Sequence, residues 1–279
     1  MLSSRAIVIM ALIAVSAAAG AWPAGAHAAE AVTGDGPLIL GAPPRAAAKD
    51  LDAFGSMAQY LSRLLGREVV FEPASVFTTY QSNIQSGYYD FVVDGAHLTG
   101  WRIKNRGYDA LVKVSGEMRF VVIVPKESRI TSLAGLRGRM ACTMNPPHLT
   151  FLVLQSLFTP TQQPGIRPYA VLTDIYKGVR EKRCHGGIVR DVMVKKLDPK
   201  GTAVRVIYEH EPIPNETLSA GKRVTASEKT RIVDAFLAIT LNPALTPYQQ
   251  AYMEGGRFER ATNADYLRFT KLLEGQVGF

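Results

Sequence analysis

From Leu38 onward the chain alternates between short apolar runs and stretches in which apolar residues recur every three or four positions. Leu38-Ile39-Leu40 stops at Gly41-Ala42-Pro43-Pro44, which predicts a strand and then a turn. Asp50 is placed to cap a helix whose one face carries Leu51, Phe54, Ala58, Leu61 and Leu65, with Gly66 as its end. Val69-Val70-Phe71 predicts the next strand. Phe77, Tyr80 and Ile84 have helical spacing, and Gly87 stops that helix. Tyr89-Asp90-Phe91-Val92-Val93 predicts a third strand, followed by Asp94-Gly95. Strand, helix, strand, helix, strand in this order is the pattern of βαβ units on a parallel sheet.

The alternation continues. Ala110 to Val114 and Phe120 to Val124 predict strands, Leu133 to Gly138 a short helix or turn, and Met140 to Thr143 a strand that meets the rigid turn Asn145-Pro146-Pro147. Leu149 to Phe158 reads as helix, Tyr169 to Leu172 as strand, Asp174 to Arg183 as helix, and Cys184 to Val189 and Val204 to Tyr208 as strands. Glu211-Pro212-Ile213-Pro214 forces an extended crossing. Three helices close the chain, over Ser227 to Ile239, Thr246 to Met253 and Asn263 to Leu273. No internal repeat is visible. The fold class is α/β.

Composition narrows the function classes. The 279 residues are 47% hydrophobic and 20% charged, enough to bury a real core, which excludes a disordered chain. Two Cys exclude a disulfide-rich scaffold and a four-thiolate zinc site. The formal net charge of +8 is scattered, with no run of five like charges, so no nucleic-acid-binding arm is expected. Such a surface fits an anionic ligand or an acidic partner. The nucleophile-elbow, zinc-protease, phosphate-loop and dinucleotide motifs are all missing, so no catalytic residues and no cofactor are assigned and the protein is expected not to be an enzyme.

The N-terminus has the three-part layout of a secretory signal peptide. Met1 to Arg5 is basic, Ala6 to Ala19 is apolar, and Ala26-His27-Ala28 offers small residues at a cleavage site. The expected signal peptide is 1–28, the expected location the periplasm. No Cys follows the apolar stretch to take a lipid anchor.

The order of segments resembles the periplasmic solute-binding proteins of the phosphate/phosphite/phosphonate ABC-transporter type. The resemblance is carried by Leu38-Ile39-Leu40-Gly41 and its Pro turn, Tyr60-Leu61-Ser62-Arg63-Leu64-Leu65-Gly66, and Gly87-Tyr88-Tyr89-Asp90-Phe91-Val92. It continues through Ser132-Leu133-Ala134-Gly135-Leu136-Arg137-Gly138-Arg139, Asn145-Pro146 and Glu211-Pro212-Ile213-Pro214-Asn215. It implies the two-lobed type II periplasmic-binding-protein fold, each lobe a mainly parallel sheet flanked by helices. Lobe one would comprise residues 36–123 and 209–279, lobe two 124–208, with a hinge near Val124-Pro125 and near Glu209 to Pro214. The partners implied are a small, anionic ligand and an ABC permease in the inner membrane, with the binding protein a monomer. The alternative is a periplasmic sensing or redox/assembly accessory module built on the same clamp.

In this family a run of hydroxyl residues after an Asp-Pro turn holds a phosphorus oxyanion at a helix start. The matching stretch here is Asn145-Pro146-Pro147-His148-Leu149-Thr150. It keeps the Pro, replaces the acid with Asn145, puts His148 where a Ser is expected and keeps one hydroxyl, Thr150. The ligand is thereby left open among phosphate, phosphonate, other oxyanions and carboxylates. The resemblance also places the cleft at the carboxyl ends of the strands. Arg45 beyond the first strand, Thr78, Thr79 and Tyr80 beyond the second, Asp94 and His97 beyond the third, and Arg190 in lobe two become candidate ligand residues. Each has a plain alternative: an exposed loop Arg, helix-capping Thr and Asp residues, a core Tyr, or an Arg paired with Asp191.

Cys142 and Cys184 fall on strands that the type II layout makes neighbours. In an oxidising compartment they form a disulfide or stay as two buried thiols. A soft-metal set of Cys142, Met144, His148, Cys184 and His185 matches no strong metal signature, and no metal is expected.

Overall fold

The fold was obtained as a computed structural model that describes residues 36–44, 48–239, 242–253 and 255–279. The expected signal peptide and the candidate Arg45 lie outside the described residues. No described helix is long and apolar enough to cross a membrane.

The chain opens with β1 (Leu38–Gly41), buried along its whole length, then α1 (Ala48–Leu65), β2 (Val69–Phe71), α2 (Phe77–Ser86), β3 (Phe91–Asp94), α3 (Ala96–Arg106) and β4 (Asp109–Val114). Gly66, Gly87 and Gly107 sit at φ 66°, 77° and 67°, left-handed positions that end the three helices. Asp50 lies inside the first turn of α1 rather than at its cap. Its carboxylate accepts from the Tyr252 hydroxyl instead.

A short β5 (Glu117–Met118) leads to β6 (Phe120–Pro125), β7 (Met140–Met144), α4 (Leu149–Ser156), β8 (Gly165–Tyr169), α5 (Leu172–Arg180), β9 (Gly186–Arg190), α6 (Asp191–Leu197) and β10 (Val204–Glu209). The chain returns through β11 (Ile213–Pro214) and β12 (Thr217–Ala220), then α7 (Ala226–Leu237), α8 (Thr246–Tyr252), β13 (Phe258–Arg260) and α9 (Asn263–Leu267). A 3-10 turn over Arg268–Leu273 follows.

Two main sheets result. The first has the order β13-β4-β12-β3-β1-β2, the second β10-β6-β9-β7-β8. The expected mainly parallel sheets are mixed. β1, β2 and β3 are parallel, whereas β12 runs antiparallel between β3 and β4. Likewise β7, β8 and β9 are parallel, and β6 and β10 run against them. The reason is topological. β12, β6 and β10 are strands on which the chain enters or leaves a sheet without a βα crossover, and β13 joins the edge antiparallel to β4.

The predicted crossing at Val124-Pro125 also moves. Phe120–Pro125 is an unbroken buried run with partners on both sides, so it belongs inside the second sheet. The connections between the sheets are residues 115–119 and 210–216, and β5 and β11 pair antiparallel where they pass. A second correction concerns β8, predicted at Tyr169 to Leu172 but formed by Gly165–Tyr169, with Leu172 already helical. Pro168 disguised it. β8 is an edge strand, where a missing N–H is tolerated.

Packing ties the halves together. One apolar cluster includes Tyr80 and Val92 from the first sheet's side, Phe120, Leu152 and Ile188 from the second, and Phe269 and Leu272 from the closing turn. Gly100 lets α3 meet α9 closely, since a Cβ there would lie 2.5 Å from the Tyr266 carbonyl oxygen. Past that turn, Phe279 packs on Trp101 of α3, and the Gln276 amide donates to Gln155 of α4 at 2.9 Å. Cys142 of β7 and Cys184, just before β9, form a disulfide with Cα atoms 5.8 Å apart. Of the alternatives open for the two thiols, the structure takes the bridge.

Candidate functional site

A cavity of about 620 Å³ lies where the carboxyl ends of the parallel strands of both sheets meet. Pro43 and Pro44 follow β1, and Gly95, His97 and Leu98 follow β3. Met144 to Leu149 follow β7, Tyr169 and Ala170 follow β8, and Arg190 ends β9. Val114 ends β4, which runs with β1 to β3, and the antiparallel β6 and β12 reach the cavity from the other direction, with Phe120, Asn215 and Glu216. This is the crevice position at which open α/β sheets bind ligands.

Among the candidates, the fold brings His97, Asn145, His148 and Arg190 to this cavity. Arg190 is half-buried and its side chain makes no hydrogen bond or ion pair among the described residues; its Nε is shut off from solvent without a partner. Asp191 does not pair with it, because the Asp191 carboxylate accepts from its neighbour's backbone (Val192 N–H, 2.7 Å) and from Lys195 at 3.0 Å. The guanidinium shares the cavity wall with the Glu216 carboxylate but is not bonded to it.

His97 is 5% exposed. Its ring donates to the Pro147 carbonyl across the cavity, and Nδ1 is enclosed without a partner. The donating atom is therefore Nε2, and the ring is neutral. Burial pushes its pKa down to about 4; the Asp94 carboxylate opposes the shift and His148 adds to it. His97 thus binds the start of α3 to the turn before α4, where the Pro146-Pro147 peptide is cis.

His148 caps α4. Its Nδ1 accepts from the Thr150 N–H at 3.2 Å and lies 2.9 Å from the Thr150 hydroxyl. Thr150 is fully buried, bonded also to the Thr143 hydroxyl at 3.2 Å, and does not line the cavity. The hydroxyl expected to reach a ligand is spent inside the protein.

Four candidates lead elsewhere. Thr78 and Thr79 are exposed on the first turn of α2, outside the lining. Tyr80 and Asp94 are both fully buried below the cavity floor. Asp94 is not a helix cap, since that place is taken by Gly95. It accepts from both Nη atoms of fully buried Arg102, from the Tyr80 hydroxyl at 2.5 Å and from the Thr99 hydroxyl at 2.8 Å. Arg102 also donates to Ser219 of β12 at 2.9 Å. Burial works against the Arg102 charge, but the Asp94 carboxylate outweighs it and raises the guanidinium's pKa. Burial, then Asp94, drives the Tyr80 pKa well above its usual value. The network is turned inward, away from the cavity lining, and within it the buried Arg102 Nε has no partner.

Sequence reasoning missed most of the wall. Tyr169 would have been found had β8 been bounded correctly, because it is the last residue of a parallel strand. Tyr248 and Tyr252, one turn apart on α8, line the cavity with Phe77 and Met118. The sequence did not single them out, since their positions depend on how α8 packs. Among the described residues no group of three or more His, Cys, Asp or Glu is placed to hold a metal, and the disulfide takes both thiols out of the soft-metal set.

The model of the family of periplasmic substrate-binding proteins of phosphonate ABC transporters matches residues 40–266. No curated protein matches the chain. Solved structures do. A Xanthomonas citri protein bound to ATP superposes with a TM-score of 0.67 at 14% identity, covering 85% of this chain and 96% of its own. A phosphonate-binding protein of Prochlorococcus marinus in complex with methylphosphonate gives 0.63 at 13% identity, covering 87% and 98%. The binding protein of a phosphonate ABC transporter from Pseudomonas aeruginosa gives 0.59 at 13% identity, covering 85% and 86%. At these identities the likeness is one of fold.

Proposed function

The chain belongs to the periplasmic substrate-binding protein family of phosphonate ABC transporters, and on that premise we propose that it captures an anionic solute in the 620 Å³ cavity for delivery to a membrane permease. The observation that carries the anionic reading is Arg190, a cavity-wall guanidinium without a protein partner. Asn145 adds an amide beside it. Two neighbours of the same fold hold anions, methylphosphonate and ATP.

The cavity lies between two bodies, each built on one sheet: residues 36–114 with 217–279, and residues 120–209. Residues 115–119 and 210–216 are the hinge. Closing these bodies on the solute excludes water and strengthens the Arg190 contact. Residues 1–28 direct export and are removed, and the mature protein works as a monomer. No step of bond making is involved.

The test is a thermal-shift and calorimetric screen of the mature chain with phosphate, methylphosphonate, methanesulfonate, acetate and phenylacetate. An anion at a hundredfold over its Kd adds about 2.7 kcal/mol to stability. Arg190→Ala is expected to weaken that anion about tenfold to a hundredfold, the worth of a charged hydrogen bond. Failure of every anion to bind, or equal binding by the variant, ends the proposal.

A further inference from the structure

The cavity is large for a compact oxyanion and offers it few side-chain donors among the described residues. Its 620 Å³ equals the space of about twenty waters at roughly 30 Å³ each, several times what one tetrahedral anion displaces. The wall is mostly rings and thioethers. Tyr169 turns its hydroxyl into the protein, toward Gly178, where a Cβ would lie 2.6 Å from that oxygen. Tyr252 gives its hydroxyl to Asp50. Both therefore offer ring surface to the cavity, beside Phe77 and Phe120.

A tetrahedral dianion taken out of water needs several donors at once. The start of α4 cannot supply them. Pro147 has no N–H, the His148 N–H goes to the Asn145 carbonyl, and the Thr150 N–H goes to the His148 ring. The Asn215 amide is spent on the Val114 and Ser115 carbonyls. His97 has given its N–H to Pro147 and stays uncharged. Among the described side chains of the lining, one guanidinium, Arg190, and one amide, Asn145, remain as donors, beside the backbone N–H groups at the start of α3, and the Glu216 carboxylate on the same wall disfavours a second negative charge.

We infer that the solute is a singly charged organic acid with a bulky apolar, ring-bearing body, its anionic end on Arg190 and its body against Tyr169, Tyr252, Phe77 and Phe120. This rests on the anion-capture reading above and sharpens its ligand class. Once the acid group is seated, the body displaces cavity water and covers ring surface, which supplies affinity that a small oxyanion lacks.

Two matched pairs test it by calorimetry on the mature chain: acetate against phenylacetate, and methylphosphonate against phenylphosphonate. The ring-bearing member is expected to bind about tenfold to a hundredfold tighter in each pair, with phenylacetate ahead of phenylphosphonate. Leu172→Trp, which fills the wall at the start of α5, should weaken phenylacetate and spare acetate; Met144→Phe serves if that variant does not fold. Arg190-dependent binding in which the small members equal or exceed the ring-bearing ones overturns the bulky acid and leaves anion capture standing. Absence of Arg190-dependent binding for all four compounds overturns both.

Discussion

The two sheets are held by opposite means. Beneath the first lies a charged interior: Asp94 and Arg102, both fully buried, share Tyr80, Thr99 and Ser219. At its edge, Asp90 accepts from the Ile39 N–H at 2.8 Å and from Arg223 at 3.0 Å. The core beside the second is apolar and stapled by Cys142–Cys184, with Ile175, Val179 and Val189 around the bridge. Charge divides the same way. Residues 120–209 hold 14 Lys and Arg against 6 Asp and Glu, whereas the rest of the chain holds 18 of each. The excess of +8 therefore falls within residues 120–209, the segment that forms the second sheet, where like charges repel and oppose compaction. A covalent staple offsets this by restricting the unfolded chain. The rest of the chain, with equal numbers of acidic and basic side chains, has less such repulsion, and the buried Asp94 and Arg102 hold because each is the other's partner.

The largest break should come in the first body. Arg102→Met strands the Asp94 carboxylate in the interior and is expected to cost about 3–5 kcal/mol in urea unfolding. The double variant with Asp94→Leu should recover part of that loss, since no charge is then left alone. If the double variant is as unstable as the sum of the singles, Asp94 and Arg102 do not act as a unit.

In the second body, replacing both Cys by Ala should cost about 4 kcal/mol, the chain-entropy value for a closed loop of 42 residues. Added salt should restore more stability to this variant than to the parent, because screening relieves the self-repulsion. An identical salt response in both proteins would separate the staple from the charge.

His97 probes the seam. Unfolded, its ring takes a proton near pH 6.5; folded, only near 4. Between those values the unfolded state binds more protons, so stability falls as the pH is lowered from about 6.5 to about 4, by about 3 kcal/mol at most. His97→Gln should flatten this window. A parent curve with the same slope as the variant's contradicts the buried neutral ring.

The smallest effect belongs to the surface. Glu181 pairs with Arg183 at 2.8 Å, both well exposed. Glu181→Gln should change the unfolding free energy by less than about 1 kcal/mol.

Much of this architecture was legible in advance. The runs at Leu38, Val69 and Met140 became strands, and the three- and four-residue spacing from Leu51 to Leu65 became α1, because those patterns are local and each element must bury its apolar side. The crevice could be placed once strand ends were known, so His97, Asn145, His148 and Arg190 were found there. Thr217–Ala220 was not legible as a strand. It has few β-branched or aromatic residues, yet it becomes a fully buried central strand because β3 and β4 leave a gap only it can fill. Asp94 looked like a helix cap until Arg102 and Ser219 were brought to it, the second from 125 positions along the chain.

The sequence alone therefore determined the alternation of strands and helices and the family, since these follow from periodicity and motif order within a few turns of chain. Tertiary structure decided which strands run antiparallel, which candidates fall below the cavity floor, and that Arg190 remains without a partner. Those outcomes depend on residues far apart in sequence competing for the same buried hydrogen-bonding groups, and only the folded chain settles that competition.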